Sequence, residues 1–147
     1  MSDVFARLLV IVDGSEAAIH SAKIAIDLAK EHSSSFLAVH VVDQSKIKRI
    51  ARALNEPEPK VEDDLKRKGL RYLDHVVQLA QSHGVNAERI LLLGHPPSEI
   101  AATALSKDVT LIVIGEPRKR ELLSRLHPQP THSVLDRAPC PVLVVKH

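Results

Sequence analysis

The composition of this 147-residue chain predicts one globular domain, over residues 1–147, with an aliphatic core. Hydrophobic residues make up 44% and aromatic residues only 2%, and the net charge is +2, so the composition argues against a nucleic-acid partner. The single cysteine excludes an internal disulfide. Because neither a signal peptide nor a span of about 20 apolar residues is present, we expect a cytoplasmic protein without a membrane partner.

Five apolar runs predict the strands of a parallel sheet. They are continuous rather than alternating, as expected where helices cover both faces of the sheet. The runs extend over Arg7 to Val12, Phe36 to Val42, Ala87 to Leu93, Val109 to Ile114, and Pro141 to Val145.

Segments with helical periodicity separate these runs. Ser15 is expected to cap the first helix and Gly84 to close a long second one, while Pro97 and Ser98 open a third. A short final helix holds Val134 and Leu135. The predicted inner face of the first helix consists of Ala18, Ala22, Ala25, Ile26 and Ala29, and a further short basic helix carries Ile47, Ile50, Ala51 and Leu54. This alternation predicts a doubly wound α/β domain with right-handed crossovers.

Ligands of open parallel sheets bind beyond the carboxyl ends of the strands, where the strand order reverses. The first strand is followed by Asp13-Gly14-Ser15, the second ends at Val41 to Asp43, and the fourth is followed by Gly115. If the first strand is central, these three tips lie together, and we call them the carboxyl rim. Such a rim can hold a base and ribose on one side and an anion, near helix N-termini, on the other.

A set of short motifs extends from the first strand to the last. They are Val10 to Glu16, Val39 to Asp43, Gly94-His95-Pro96, Ile112 to Gly115, and Ala138 to Val145. In this order and spacing the set resembles the universal stress protein family. The resemblance implies a flavodoxin-like (Rossmann-like) three-layer sandwich with a five-stranded parallel sheet in the order 3-2-1-4-5. It also implies a homodimer through the last strand, Val142–Val145, and a regulatory or protective role in the stress response.

Family members that bind ATP have the loop Gly-x-x-Gly, nine further residues, and Gly-Ser or Gly-Thr. On this chain those positions fall on Gly115, Arg118, Pro128 and Gln129, so only the first glycine is present. Glycines allow backbone N–H groups to approach phosphates, whereas proline lacks that donor and fixes φ. We therefore expect the family's standard ATP-binding loop to be lost.

The resemblance extends to the residues on the adenine side of the site. By resemblance, Asp13 corresponds to the acid near adenine and ribose, and Val41 to the position whose backbone reads the adenine edge. The candidate residues for ATP or AMP are Asp13, Val41, Gly115, Arg118 and Thr131. In the alternative interpretation Asp13 only caps a turn and Val41 is core. Three functions stay open: a regulatory or protective binding module, not an enzyme, with weak or no ATP binding; an adenine-nucleotide switch that extends to a slow ATPase; and an assembly module.

The sequence contains no catalytic or metal-binding motif. It has neither a Gly-x-Ser-x-Gly elbow nor a Walker loop, and we interpret Ser15 as a helix cap rather than a nucleophile. His127 and His132 lack metal-ligand spacing. Cys140 is interpreted as a packing residue or, alternatively, a redox-sensing thiol. The basic residues Arg118, Lys119, Arg120 and Arg125 form either a solvated loop or a patch for phosphate, nucleic acid or an acidic partner.

Overall fold

Five parallel strands form the sheet of the computed structural model, which describes residues 3–117 and 130–147. The strands are β1 (Arg7–Ile11), β2 (Ser35–Asp43), β3 (Ala87–Gly94), β4 (Leu111–Glu116) and β5 (Val142–Lys146). Their order is β3-β2-β1-β4-β5, with β1 at the centre. This confirms the expected order and the flavodoxin-like α/β class.

Helices cover both faces of the sheet. They are α1 (Glu16–His32), α2 (Gln44–Leu54), α3 (Glu58–Ser82), α4 (Pro96–Ser106) and α5 (Pro130–Arg137). The helices α1 and α3 pack on Leu8 and Val10 of β1, whereas α4 and α5 pack on the face that holds Leu9. All five alanine and isoleucine positions predicted to face inward from α1 are buried. No helix within the described residues combines the length and apolar character that a bilayer crossing requires.

The ends of several elements differ from the sequence prediction by one or two residues. Val109 precedes β4 because Asp108 has a left-handed φ of 53° and the Val109 N–H still donates to Ala104 O at the end of α4. The helix α4 begins at Pro96 instead of Pro97, since the first helical position needs no N–H donor. Leu54 is 62% exposed rather than packed, because it is the last residue of α2.

Candidate functional site

The turn between β1 and α1 is held by side-chain hydrogen bonds. Asp13 Oδ1 accepts from the Ser15 N–H at 2.9 Å and from the Ser15 hydroxyl at 2.6 Å. Ser15 Oγ in turn accepts from the Ala18 N–H at 3.1 Å, which confirms Ser15 as the N-cap of α1. Among the described residues Asp13 Oδ2 has no hydrogen-bond partner, and the side chain is exposed. One carboxylate oxygen therefore stabilises the turn while the other is available to a ligand.

The strands β1 and β2 separate at Val41. Alternate residues of β2 turn their backbone polar groups toward β1: Ser35 N–H donates to Ala6 O, and Val39 O accepts from the Val12 N–H at 2.8 Å. Val41 is the next residue in this alternation. Within residues 3–117 and 130–147 no backbone hydrogen bond joins Val41 to Val12 or to the turn after it. The Val41 N–H and C=O thus face the opening between the strands, which we call the β1–β2 fork.

Gly115 brings the end of β4 against the first turn of α1. A Cβ atom at this position would lie 2.2 Å from Ala17 O, far inside van der Waals contact with backbone. Gly115 therefore has a packing function whether or not a ligand binds. Because β4 is hydrogen-bonded to β1, this contact places the tip of β4 beside the amino end of α1.

Of the other two candidate residues, the structure describes Thr131 but not Arg118. Thr131 lies in the first turn of α5 and is only 4% exposed, so its side chain is not presented to solvent. Arg118 lies outside the described residues, as do Pro128, Gln129 and the rest of the basic segment predicted between residues 118 and 125, and so does His127. The structure therefore brings Asp13, Val41 and Gly115 to the carboxyl ends of three adjacent strands.

The sequence predicts Tyr72 on the apolar face of the long helix but assigns neither Tyr72 nor His40 to the candidate site, although both rings lie beside the carboxyl rim. His40 Nδ1 lies 2.6 Å from Val12 O, and the two ring centroids are 5.7 Å apart at an interplanar angle of 69°. Tyr72 covers Gly14, where φ is +82° and a Cβ would lie 2.6 Å from the tyrosine ring. The available signal was His40 itself, the one ionisable residue inside the apolar run Phe36 to Val42.

A cavity of about 760 Å³ lies at the opposite, amino end of the sheet. Arg7, Lys30 and His83 contribute basic side chains to its lining. Lys30 and His83 lie at the carboxyl ends of α1 and α3, where the partial negative charge of a helix favours basic residues, and Arg7 Nε donates to Lys107 O after α4 at 2.7 Å. The cavity is therefore not part of the candidate site.

Comparison with known proteins places this chain in a family. The model of the universal stress protein family matches residues 5–146. The chain belongs to the universal stress protein family. It is 30% identical to the universal stress protein YxiE of Bacillus subtilis, with 97% of this chain and 100% of YxiE covered. It is 32% identical to the universal stress protein MJ0531 of Methanocaldococcus jannaschii, with 98% and 84% covered.

Solved structures of universal stress proteins share the fold. The structure of MJ0577 from Methanocaldococcus jannaschii superposes with a TM-score of 0.82 at 23% identity, covering 99% of this chain and 98% of that one. A family protein from Arabidopsis thaliana with AMP bound gives a TM-score of 0.66 at 18% identity, covering 97% and 92%. A universal stress protein in complex with cAMP gives 0.71 at 15%, covering 98% of each chain.

Proposed function

We propose that this universal stress protein is a regulatory module that binds an adenine nucleotide with a short phosphate group, for which AMP is the simplest representative. The base and ribose lie at the carboxyl rim, and the family's standard grip on a triphosphate is absent. The chain then acts in the stress response by binding rather than by catalysis.

The observation that carries this proposal is the open backbone of Val41 at the β1–β2 fork. A donor and an acceptor on one residue complement adenine, whose N1 accepts and whose N6 amino group donates. The exposed Asp13 Oδ2 adds an acceptor for ribose hydroxyls at the end of the neighbouring strand. The AMP and cAMP complexes of two structural neighbours support the same ligand class.

The preference for a short phosphate group is inferred from the sequence of the segment after β4. Pro128 and Gln129 replace the family's Gly-Ser pair, and proline has no N–H to donate. Pro130 removes a second N–H. A hydrogen bond to a charged phosphate contributes about 1.5–3 kcal/mol, so the loss of these two donors weakens the binding of a polyphosphate by orders of magnitude. A monophosphate requires fewer donors and loses less.

Calorimetric titration with AMP and with Mg²⁺–ATP tests the proposal. We expect AMP to bind at least as tightly as ATP, because the β- and γ-phosphates gain few contacts. Asp13→Ala should weaken AMP binding about tenfold or more. Tighter binding of ATP by more than about tenfold, equivalent to 1.4 kcal/mol, would contradict the loss of the triphosphate grip. An absence of response to either nucleotide at millimolar concentration would remove the nucleotide function.

The strand β5 lies at the edge of the sheet, and its exposure suggests that the protein also associates with itself. We propose that β5 pairs with a second copy of the chain, because Val142, Leu143, Val144 and Val145 are only half-buried on an edge strand. An apolar edge with unpaired backbone groups is a template for strand addition.

The direction of the backbone groups in β5 provides the test. Pro141 O accepts from the Ile112 N–H and the His147 N–H donates to Glu116 O, so odd-numbered residues face β4 and Val144 faces outward. Val144→Pro therefore removes an outward N–H, and we expect light scattering to change from the mass of a dimer to that of a monomer. A wild-type chain that is monomeric at high concentration would contradict this pairing.

A further inference from the structure

We infer that His40 is a positioning residue that keeps the β1–β2 fork open. Its Nδ1 lies 2.6 Å from Val12 O, and because a carbonyl oxygen only accepts, Nδ1 carries the proton and donates. The inference rests on the proposed function for its role in binding adenine. Its structural part, the state of the Val41 amide, stands on the hydrogen-bond pattern alone.

The pattern of a parallel ladder shows what His40 replaces. The Val12 N–H donates to Val39 O, and in a regular ladder the Val12 carbonyl would next accept from the Val41 N–H. In this protein the imidazole occupies that carbonyl. The described residues contain no bond from the Val41 N–H to Val12 O. The His40 side chain therefore supplies the hydrogen bond that the Val12 carbonyl would otherwise accept from Val41, and the Val41 N–H remains available to a ligand.

Gly69 and Tyr72 fix the imidazole ring in this orientation. A Cβ at Gly69 of α3 would lie 2.5 Å from His40 Cδ2, so the helix backbone packs directly on the ring. Tyr72 contacts the ring edge-to-face and at the same time covers Gly14. The two rings thus hold Val12 from one side and Gly14 from the other, and Asp13 lies between the two restrained residues.

Amide hydrogen exchange of the nucleotide-free protein tests the structural part. We expect the Val41 N–H to exchange much faster than the Val39 N–H, which lies within the paired register. In His40→Phe the ring remains but the donor is lost, so Val41 should bond to Val12 and its exchange should slow at least tenfold. His40→Asn retains a donor at the position of Nδ1 and should behave as the wild type. Slow exchange of Val41 in the wild type, or no change in His40→Phe, would overturn the inference.

Titration of the same variants with AMP tests the consequence for binding. We expect His40→Phe to weaken AMP about tenfold and His40→Asn to restore it, since one ligand hydrogen bond is at stake. If exchange changes as expected but AMP fails to bind even the wild type, the proposed function is wrong and the role of His40 in the fork stands. If AMP binds the wild type and His40→Phe equally, His40 has no role in recognition. If His40→Phe does not fold, the amide exchange rates of Val41 and Val39 in the wild type and in His40→Asn test the inference instead.

Discussion

Asp13, which follows β1, and Asp43, which ends the neighbouring strand β2, accept the same pair of hydrogen bonds. Each Oδ1 accepts from the N–H and the hydroxyl of the serine two residues later, at 2.9 and 2.6 Å for Asp13 and at 3.0 and 2.7 Å for Asp43. Both turns lead into a helix, α1 after Asp13 and α2 after Asp43. Turn chemistry alone therefore cannot identify Asp13 as a ligand-binding residue. Only its place after the central strand, beside the β1–β2 fork, distinguishes it.

This likeness makes Asp43 the control for the first prediction. We expect Asp13→Ala and Asp43→Ala to lose similar stability, about 1 kcal/mol each, because Asp43 is the N-cap of α2 and Asp13 holds Ser15, the N-cap of α1. Only Asp13→Ala should also weaken AMP, by about tenfold or more, because it removes an acceptor for ribose. Urea unfolding and calorimetry measure the two effects. Equal loss of AMP affinity in both variants would reduce Asp13 to a structural cap.

The second prediction concerns the contact between β4 and α1. Gly115→Ala would place a Cβ 2.2 Å from Ala17 O, and backbone on both sides leaves no side chain to rotate away. We expect a loss of about 3 kcal/mol in the free energy of unfolding, at the upper end of overpacking effects. Gly84→Ala is the control: its Cβ would meet nothing within 4 Å, and its φ of +76° costs only about 1–2 kcal/mol. Equal destabilisation would show that β4 can shift.

Most of the fold could be predicted from the sequence because its determinants are local. Continuous apolar runs, a Ser15 cap and prolines at helix starts act through the backbone of a few neighbouring residues. Where local signals compete the prediction was less accurate, as at Val109, whose N–H closes α4 although its side chain belongs to an apolar run. The strand order followed from the resemblance to the universal stress proteins and agrees with the structure.

The candidate site could be predicted only in part, because its function depends on contacts distant in sequence. The resemblance to the family identified Asp13 and Val41 at the strand ends. The reason that Val41 has open backbone groups is the side chain of His40 bonded to Val12, 28 residues away. The packing role of Gly115 likewise depends on Ala17, on another element. Periodicity and motif spacing contain no information on such contacts.

A third prediction uses the contact between Gly69 and His40. Alanine is a better helix former than glycine by about 1 kcal/mol, so Gly69→Ala on an open helix face would stabilise the protein. Here the new Cβ would lie 2.5 Å from the His40 ring, and we expect a net loss of about 1–3 kcal/mol. In a His40→Ala background only the flexible Leu91 side chain, with Cδ1 at 3.0 Å, remains close to the new Cβ, and the same change should become nearly neutral. A loss of the same size in both backgrounds would show that the ring is not the obstacle.

The final prediction concerns Cys140, which the sequence left open as packing residue or redox-sensing thiol. Burial among the apolar residues near β5 raises the pKa of the Cys140 thiol above its ordinary value, and a backbone hydrogen bond with Ile112 opposes this more weakly. The folded state therefore favours the neutral thiol, and the stabilisation from this group is fully present at pH values below the pKa of the thiol in the unfolded chain. That stabilisation is lost as the pH rises through the higher pKa of the thiol in the folded protein.

Alkylation of Cys140 by iodoacetamide measures this directly, since the thiolate is the nucleophile. At pH 8 we expect the folded protein to react more slowly than the urea-unfolded protein, and the rate of the folded protein to continue rising at pH values where the unfolded rate has levelled off. Cys140→Ser gives the background without the thiol and should remove the alkaline decrease in stability that this group causes. Faster reaction of the folded protein would require a stabilised thiolate, in contradiction to the effect of burial, and would favour redox sensing at Cys140.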